Sequence, residues 1–161
     1  MNRYSLALLA LLVVPNSALA LTVTSSADSG AGTLRQAILD AVGGDTIDFA
    51  GGISPITLTS AELLINKNLT ISGPGANLLT VRRSTAGGTP HFRLFHIASG
   101  AFNVTISGLT ISNGNIAANG GGIANESTGA VNVADSTLSG NTAGGGSAGG
   151  GIVNGVTSPL T

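Results

Sequence analysis

The chain has no cysteine, few charges and a single long apolar run. Without cysteine there can be no disulfide and no lipid-bearing Cys behind a leader, so the fold must rest on burial and backbone hydrogen bonding. Charged residues make up 8% of the chain, far below the quarter usual for soluble domains. Disordered chains combine high charge with few β-branched residues, whereas this one is rich in Ile, Val, Leu and Thr. Scarce charge with abundant β-formers reads as strands. The near balance of six basic and seven acidic residues removes nucleic acid and anionic membrane from the expected partners.

The apolar run, Leu6 to Val14, is nine residues long and is closed by Pro15 and Asn16. That is too short to span a bilayer. With Arg3 ahead of it and Ala18-Leu19-Ala20 behind, it has the three parts of a secretory signal peptide, with cleavage expected after Ala20. The expected division is therefore a signal peptide over 1–20 and one domain over 21–161, on the cell surface, in the outer membrane or outside the cell. The mature chain would have 141 residues (161 − 20) and a net charge of −2, once Arg3 is lost. No second stretch of that kind follows, so no transmembrane helix is expected in it.

A cap is expected over about 21–44. Thr33 and Gln36 fit a capping box, in which each side chain satisfies the other's backbone N–H. Leu34, Ala37, Ile38 and Ala41 share one face of a helix of about ten residues that Gly43 and Gly44 end. So short a helix needs an apolar surface to lie on. From about residue 45 the pattern becomes β segments of three to six residues, separated by Gly, Asn, Pro or Ser. Asn113-Gly114 and Asn119-Gly120 leave hairpins possible locally.

GGGIAN (Gly120 to Asn125) returns as GGGIVN (Gly149 to Asn154), 29 residues later (149 − 120 = 29). Self-similarity at such a period marks a stacked repeat. Three short β pieces fall within it, and three strands per turn with tight corners describe a parallel β-helix. The fold class expected is all-β: a right-handed, single-stranded parallel β-helix with a short N-terminal capping helix. Gly121, Gly122, Ile123 and Asn125 should lie over Gly150, Gly151, Ile152 and Asn154, the isoleucines inward and the asparagine amides bonded along the stack.

The start LTVTSSADSGAGTLRQAILDA, the strand Thr46-Ile47-Asp48-Phe49 and GLTISNGN followed by GGGIAN resemble secreted bacterial right-handed parallel β-helix proteins of the pectin-lyase-like kind. Within these, the chain is most similar to polymorphic outer-membrane proteins and autotransporter passengers. Gly121-Gly122-Ile123 and Gly150-Gly151-Ile152 match their GG-x-I tetrapeptide, and Leu138-Ser139-Gly140-Asn141 matches F-x-x-N with Leu for Phe. The resemblance covers the whole expected mature chain and implies an adhesin-like fragment. No membrane-barrel segment follows VTSPLT, so a truncated C-terminal end is expected, with self-association through an open last coil.

Of the glycine-rich stretches, SGPGANL lacks the third glycine of a dinucleotide fingerprint, and the run Gly144 to Gly151 lacks the Lys-Ser/Thr of a P-loop. GGGSAGGG also lacks the aspartate of calcium-binding repeats. The acids Asp28, Asp40, Asp45, Asp48, Glu62, Glu126 and Asp135 are dispersed, with no pair one coil apart. No cofactor, metal or catalytic set is expected. The polar concentration is Arg82, Arg83, His91, Arg93 and His96, around the loop Ser84 to Pro90. It reads either as a patch for an acidic sugar or as a solvated loop. The function expected is non-enzymatic binding to carbohydrate or to a host or cell-surface protein. The alternative is a polysaccharide lyase or glycoside hydrolase of the pectin-lyase-like fold.

Overall fold

The short β segments do not fold back on one another; they climb. The computed structural model describes residues 18–144 and 149–155. A first turn holds β1 (Ala20–Val23) and α1 (Leu34–Asp40). Coil 1 follows with β2 (Thr46–Phe49), β3 (Ile56–Leu58) and β4 (Leu63–Ile65). Coil 2 holds β5 (Leu69–Ser72), β6 (Thr80–Arg83) and β7 (Phe95–Gly100). Coil 3 has four strands, β8 (Val104–Ser107), β9 (Thr110–Ser112), β10 (Asn115–Ile116) and β11 (Ile123–Ser127). Coil 4 repeats that plan with β12 (Val131–Ala134), β13 (Thr137–Ser139), β14 (Thr142–Ala143) and β15 (Ile152–Asn154).

Three sheets run up the sides, in the orders β1-β2-β5-β8-β12, β3-β6-β9-β13 and β4-β7-β11-β15, with β10-β14 as a short fourth. Every ladder among these strands is parallel. The chain is thus an all-β parallel solenoid of about five turns with one short helix. No hairpin forms among the described residues: Asn113 takes a left-handed φ of 64° at a corner, not in a two-residue hairpin turn. The period was expected to hold three strands; coils 3 and 4 have a fourth in β10 and β14.

Strand alternation sends every second side chain inward, and parallel register then stacks like on like. The first sheet stacks Leu21, Ile47, Ile71, Ile106 and Val133 in one inner column. The second stacks Ile56, Val81, Ile111 and Leu138, and the third Leu63, Phe95, Ile123 and Ile152. Each fully buried aliphatic side chain contributes about 1.5–3 kcal/mol, so these columns are the main source of stability. The expected pairing of Ile123 with Ile152 is present, as is that of Asn125 with Asn154. Asn125 is fully buried in line with Ile97, and its Nδ2 donates to Asn154 Oδ1 at 2.7 Å. Its own Oδ1 accepts from Ser127 N at 2.8 Å, so both ends of the buried amide are paired.

The repeated glycines have two reasons. Gly120 and Gly149 both have φ +72°, which a side chain would strain. A Cβ on Gly121 would collide with the carbonyls of Thr142 and Gly150 in the next coil.

The N-terminal turn closes one end of the stack. Leu34, Ala37, Ile38 and Ala41 are buried against the core, as their spacing predicts. The helix is seven residues, shorter than expected, because Ala41 leaves helical geometry with ψ 140°. The capping box is half formed: Thr33 Oγ1 accepts from Gln36 N at 3.2 Å, but Gln36 Nε2 turns to Asp40 Oδ1 at 2.7 Å. Thr33 N instead finds Gly30 O. Arg35 pins the cap to coil 1 by donating to Glu62 O at 2.8 Å and Ala61 O at 2.7 Å, while pairing with Asp28. Asp28 Oδ2 in turn accepts from Thr59 N, Thr59 Oγ1 and Ser60 N. The ladder also takes in Ala20, and Thr46 N donates to Leu19 O at 2.9 Å, so ordered backbone begins ahead of the expected domain start at Leu21.

The coils differ in length. From Ile56 on the second sheet to Leu63 on the third is seven residues (63 − 56), but from the register partner Val81 to Phe95 is fourteen (95 − 81). Coils 3 and 4 place a fourth strand in this interval. Coil 2 instead makes an irregular excursion over 84–90 before rejoining at Phe92, which bridges Asn115.

Candidate binding cleft

The excursion of coil 2 overhangs the outer face of the second sheet and makes a cleft of about 320 Å³. Thr57, Arg82, Arg83, Ser84, Thr85, Ala86 and Asn113 line it, with no carboxylate among them. Register places Thr57, Arg82 and Ser112 in one outward column, one per coil. Arg82 is exposed, and its Nε donates to Thr57 Oγ1 at 3.0 Å. Among the described residues its terminal guanidinium nitrogens have no partner.

Arg83 differs from its neighbour because strand alternation turns it inward, in line with Leu58. It is 7% exposed. Its Nε donates to Pro90 O at 2.7 Å, Nη2 donates to Thr89 O at 2.9 Å, and the guanidinium lies over the Phe92 ring at 5.6 Å. These contacts lash the base of the excursion to the core. Inside the excursion Ser84 Oγ accepts from Ala86 N at 3.2 Å and meets Thr89 Oγ1 at 3.1 Å. The wall of the cleft is thereby braced, even though Thr85 to Gly88 are exposed.

The five basic residues grouped by sequence fall into separate surroundings. Arg82 faces the cleft, Arg83 supports its wall, and His91 is exposed at the end of the excursion. Arg93 lies just ahead of β7, and His96 is on that strand in the third sheet. His96 Nδ1 lies 2.7 Å from Glu62 Oε1, and its Nε2 lies 3.3 Å from Glu126 Oε1. Arg93 Nε stands 3.0 Å from Glu62 Oε2, close enough for an ion pair but without the N–H alignment of a hydrogen bond. The line Arg93–Glu62–His96–Glu126 therefore crosses coils 1, 2 and 3 on one outer face.

Glu62 and Glu126, which sequence separation left dispersed, are brought to one imidazole. The available signal was alignment of Leu63-Leu64-Ile65 with Phe95-His96-Ile97 and Ile123-Ala124-Asn125, which are in register. Among the described residues no group of three or more His, Cys, Asp or Glu is arranged to hold a metal ion. No helix among them is long and apolar enough to cross a membrane.

The fold and the cleft define a class: a parallel β-solenoid with a polar, cation-bearing recess on one side. No family model, curated protein or solved structure matches the chain. The solenoid thus stands on its own geometry, and the likeness to polymorphic outer-membrane proteins and autotransporter passengers is confined to the motifs that carry it.

Proposed function

We propose that the chain is an exported binding module of the autotransporter-passenger type, whose cleft engages carbohydrate or a cell-surface protein. The observation that carries this reading is the recess itself: the coil that departs from the solenoid plan does so over an exposed guanidinium, with hydroxyls and an amide around it. Insertions in solenoids map to one face, often the binding face, and loops held on a rigid scaffold are where recognition concentrates. The test is retention of the purified chain on arrayed oligosaccharides and on intact cells with and without their surface protein. Retention that Thr57→Trp abolishes, by filling the recess, supports the proposal; retention on none of these surfaces ends it.

A second reading is favoured by one observation: a histidine flanked by two carboxylates is a plausible acid–base set for a polysaccharide lyase or hydrolase. Incubation with polyuronate, followed by ultraviolet absorbance of unsaturated product, tests it. Product that disappears on Arg93→Ala would put this reading first.

A further inference from the structure

Deepening the binding-module reading on which it rests, we infer that the cleft selects an anionic group carried on a hydroxyl-rich ligand, a uronic or sulfated sugar, with Arg82 as the anchoring cation. Two features converge on this. The lining has two arginines and no carboxylate, so its local field favours an anion although the whole chain is slightly acidic. The Nε of Arg82 is held by Thr57 Oγ1, which fixes the plane of the guanidinium. A planar fork already fixed in place loses little freedom when two terminal N–H groups take a carboxylate or sulfate side by side.

The remaining lining suits the rest of such a ligand. The hydroxyls of Thr57, Ser84 and Thr85 and the amide of Asn113 both donate and accept, which is what sugar hydroxyls require. A purely structural arginine in this protein looks different: Arg83 has carbonyl partners for two of its nitrogens and Arg35 for all three. Among the described residues Arg82 has a single hydroxyl partner, and the extra length of coil 2 forms a wall beside it. The wall is braced internally and from below, so the recess exists before any ligand arrives.

A matched pair of disaccharides tests this: cellobiouronic acid and cellobiose, which differ in one carboxylate, titrated into the purified chain and followed by amide chemical shifts. The acid is expected to bind at least about tenfold more tightly than the neutral sugar, because one charge-assisted pair separates them. Shifts should centre on Arg82, Ser84, Thr85 and Asn113, and added salt should weaken the acid alone. Arg82→Gln, at an exposed position, should bring the acid down to the neutral sugar's affinity without changing thermal stability. Cellobiose 6-sulfate separates sulfate from carboxylate recognition, and preference for either acid over cellobiose supports the inference. Equal binding of acid and neutral sugar, or an unaltered preference in Arg82→Gln, overturns it while leaving the binding module standing. Absence of binding by all three sugars also overturns it, and the retention experiment then decides separately on the binding module.

Discussion

Asp28 is where acid should first loosen this protein. Partial burial would raise its carboxyl, but the hydrogen bond from Arg35, then those from Ser60 and Thr59, and the Arg35 charge outweigh it and hold the pKa at about 2. Because the folded value lies below the ordinary one of 3.8, the stabilisation is fully present above about pH 4 and is lost as pH falls towards 2. The lowering corresponds to at most about 2 kcal/mol, and solvent around the pair reduces this to about 1–2 kcal/mol. The loss should fall on the cap, because Asp28 and Arg35 join the helix to Thr59, Ser60, Ala61 and Glu62 of coil 1. The measurement is urea unfolding of the parent and of Asp28→Asn at pH 7 and pH 2.5, with amide exchange at β1 and α1. At pH 7 the variant should be less stable by that amount, and at pH 2.5, still just above the folded pKa, the gap should shrink to about a third of it. Asp45 is also held low, by the backbone N–H groups of Leu19 and Val42, and titrates in both proteins, so the difference isolates Asp28. A gap that stays constant between the two pH values would refute the reasoning.

Two further outcomes follow from the stacked interior. Asn125→Ala removes the acceptor of the Ser127 amide and the donor to Asn154, leaving a buried N–H without its partner; a loss of about 1–3 kcal/mol is expected in denaturant unfolding. Gly121→Ala must push apart the backbones of coils 3 and 4, which approach too closely for a Cβ. Overpacking of this kind costs about 1–3 kcal/mol, read as a lowered Tm, whereas Gly87→Ala, in open space on the excursion, should leave Tm unchanged.

The stacking was legible in the sequence because chemistry recurs at register positions: Ile123 over Ile152 and Asn125 over Asn154 needed no more than the repeated hexapeptide. The helix was legible from its apolar spacing, though its cap was only half so, since Asp40 offers Gln36 a nearer partner than the backbone of Thr33. Strand limits are less legible where corners interrupt alternation: FRLFHI (Phe92 to Ile97) reads as one β segment, but its strand begins at Phe95, after the bridge that closes the excursion. The charged cluster was not legible from the 29-residue repeat alone. Register separations run from 24 residues (70 − 46) to 35 (104 − 69), so no fixed period maps Glu62 onto His96 or His96 onto Glu126. For the same reason five neighbouring basic residues looked like one patch. A strand separates Arg82 from Arg83 by facing them oppositely, and the corner between the second and third sheets carries Arg93 and His96 to another side of the same coil.

The first strand of the ladder has a bearing on the life history of the chain. Ala20 and Leu21 pair with Thr46 and Ile47, and Leu19 reaches Asp45 through its N–H at 2.8 Å. On the export reading, the bond between Ala20 and Leu21 is the one a leader peptidase must cut. Once coil 1 has wound beneath it, that bond lies in a hydrogen-bonded ribbon and is no longer an extended substrate free to enter a protease. On that reading maturation and winding would compete, with trimming expected before the first turn closes.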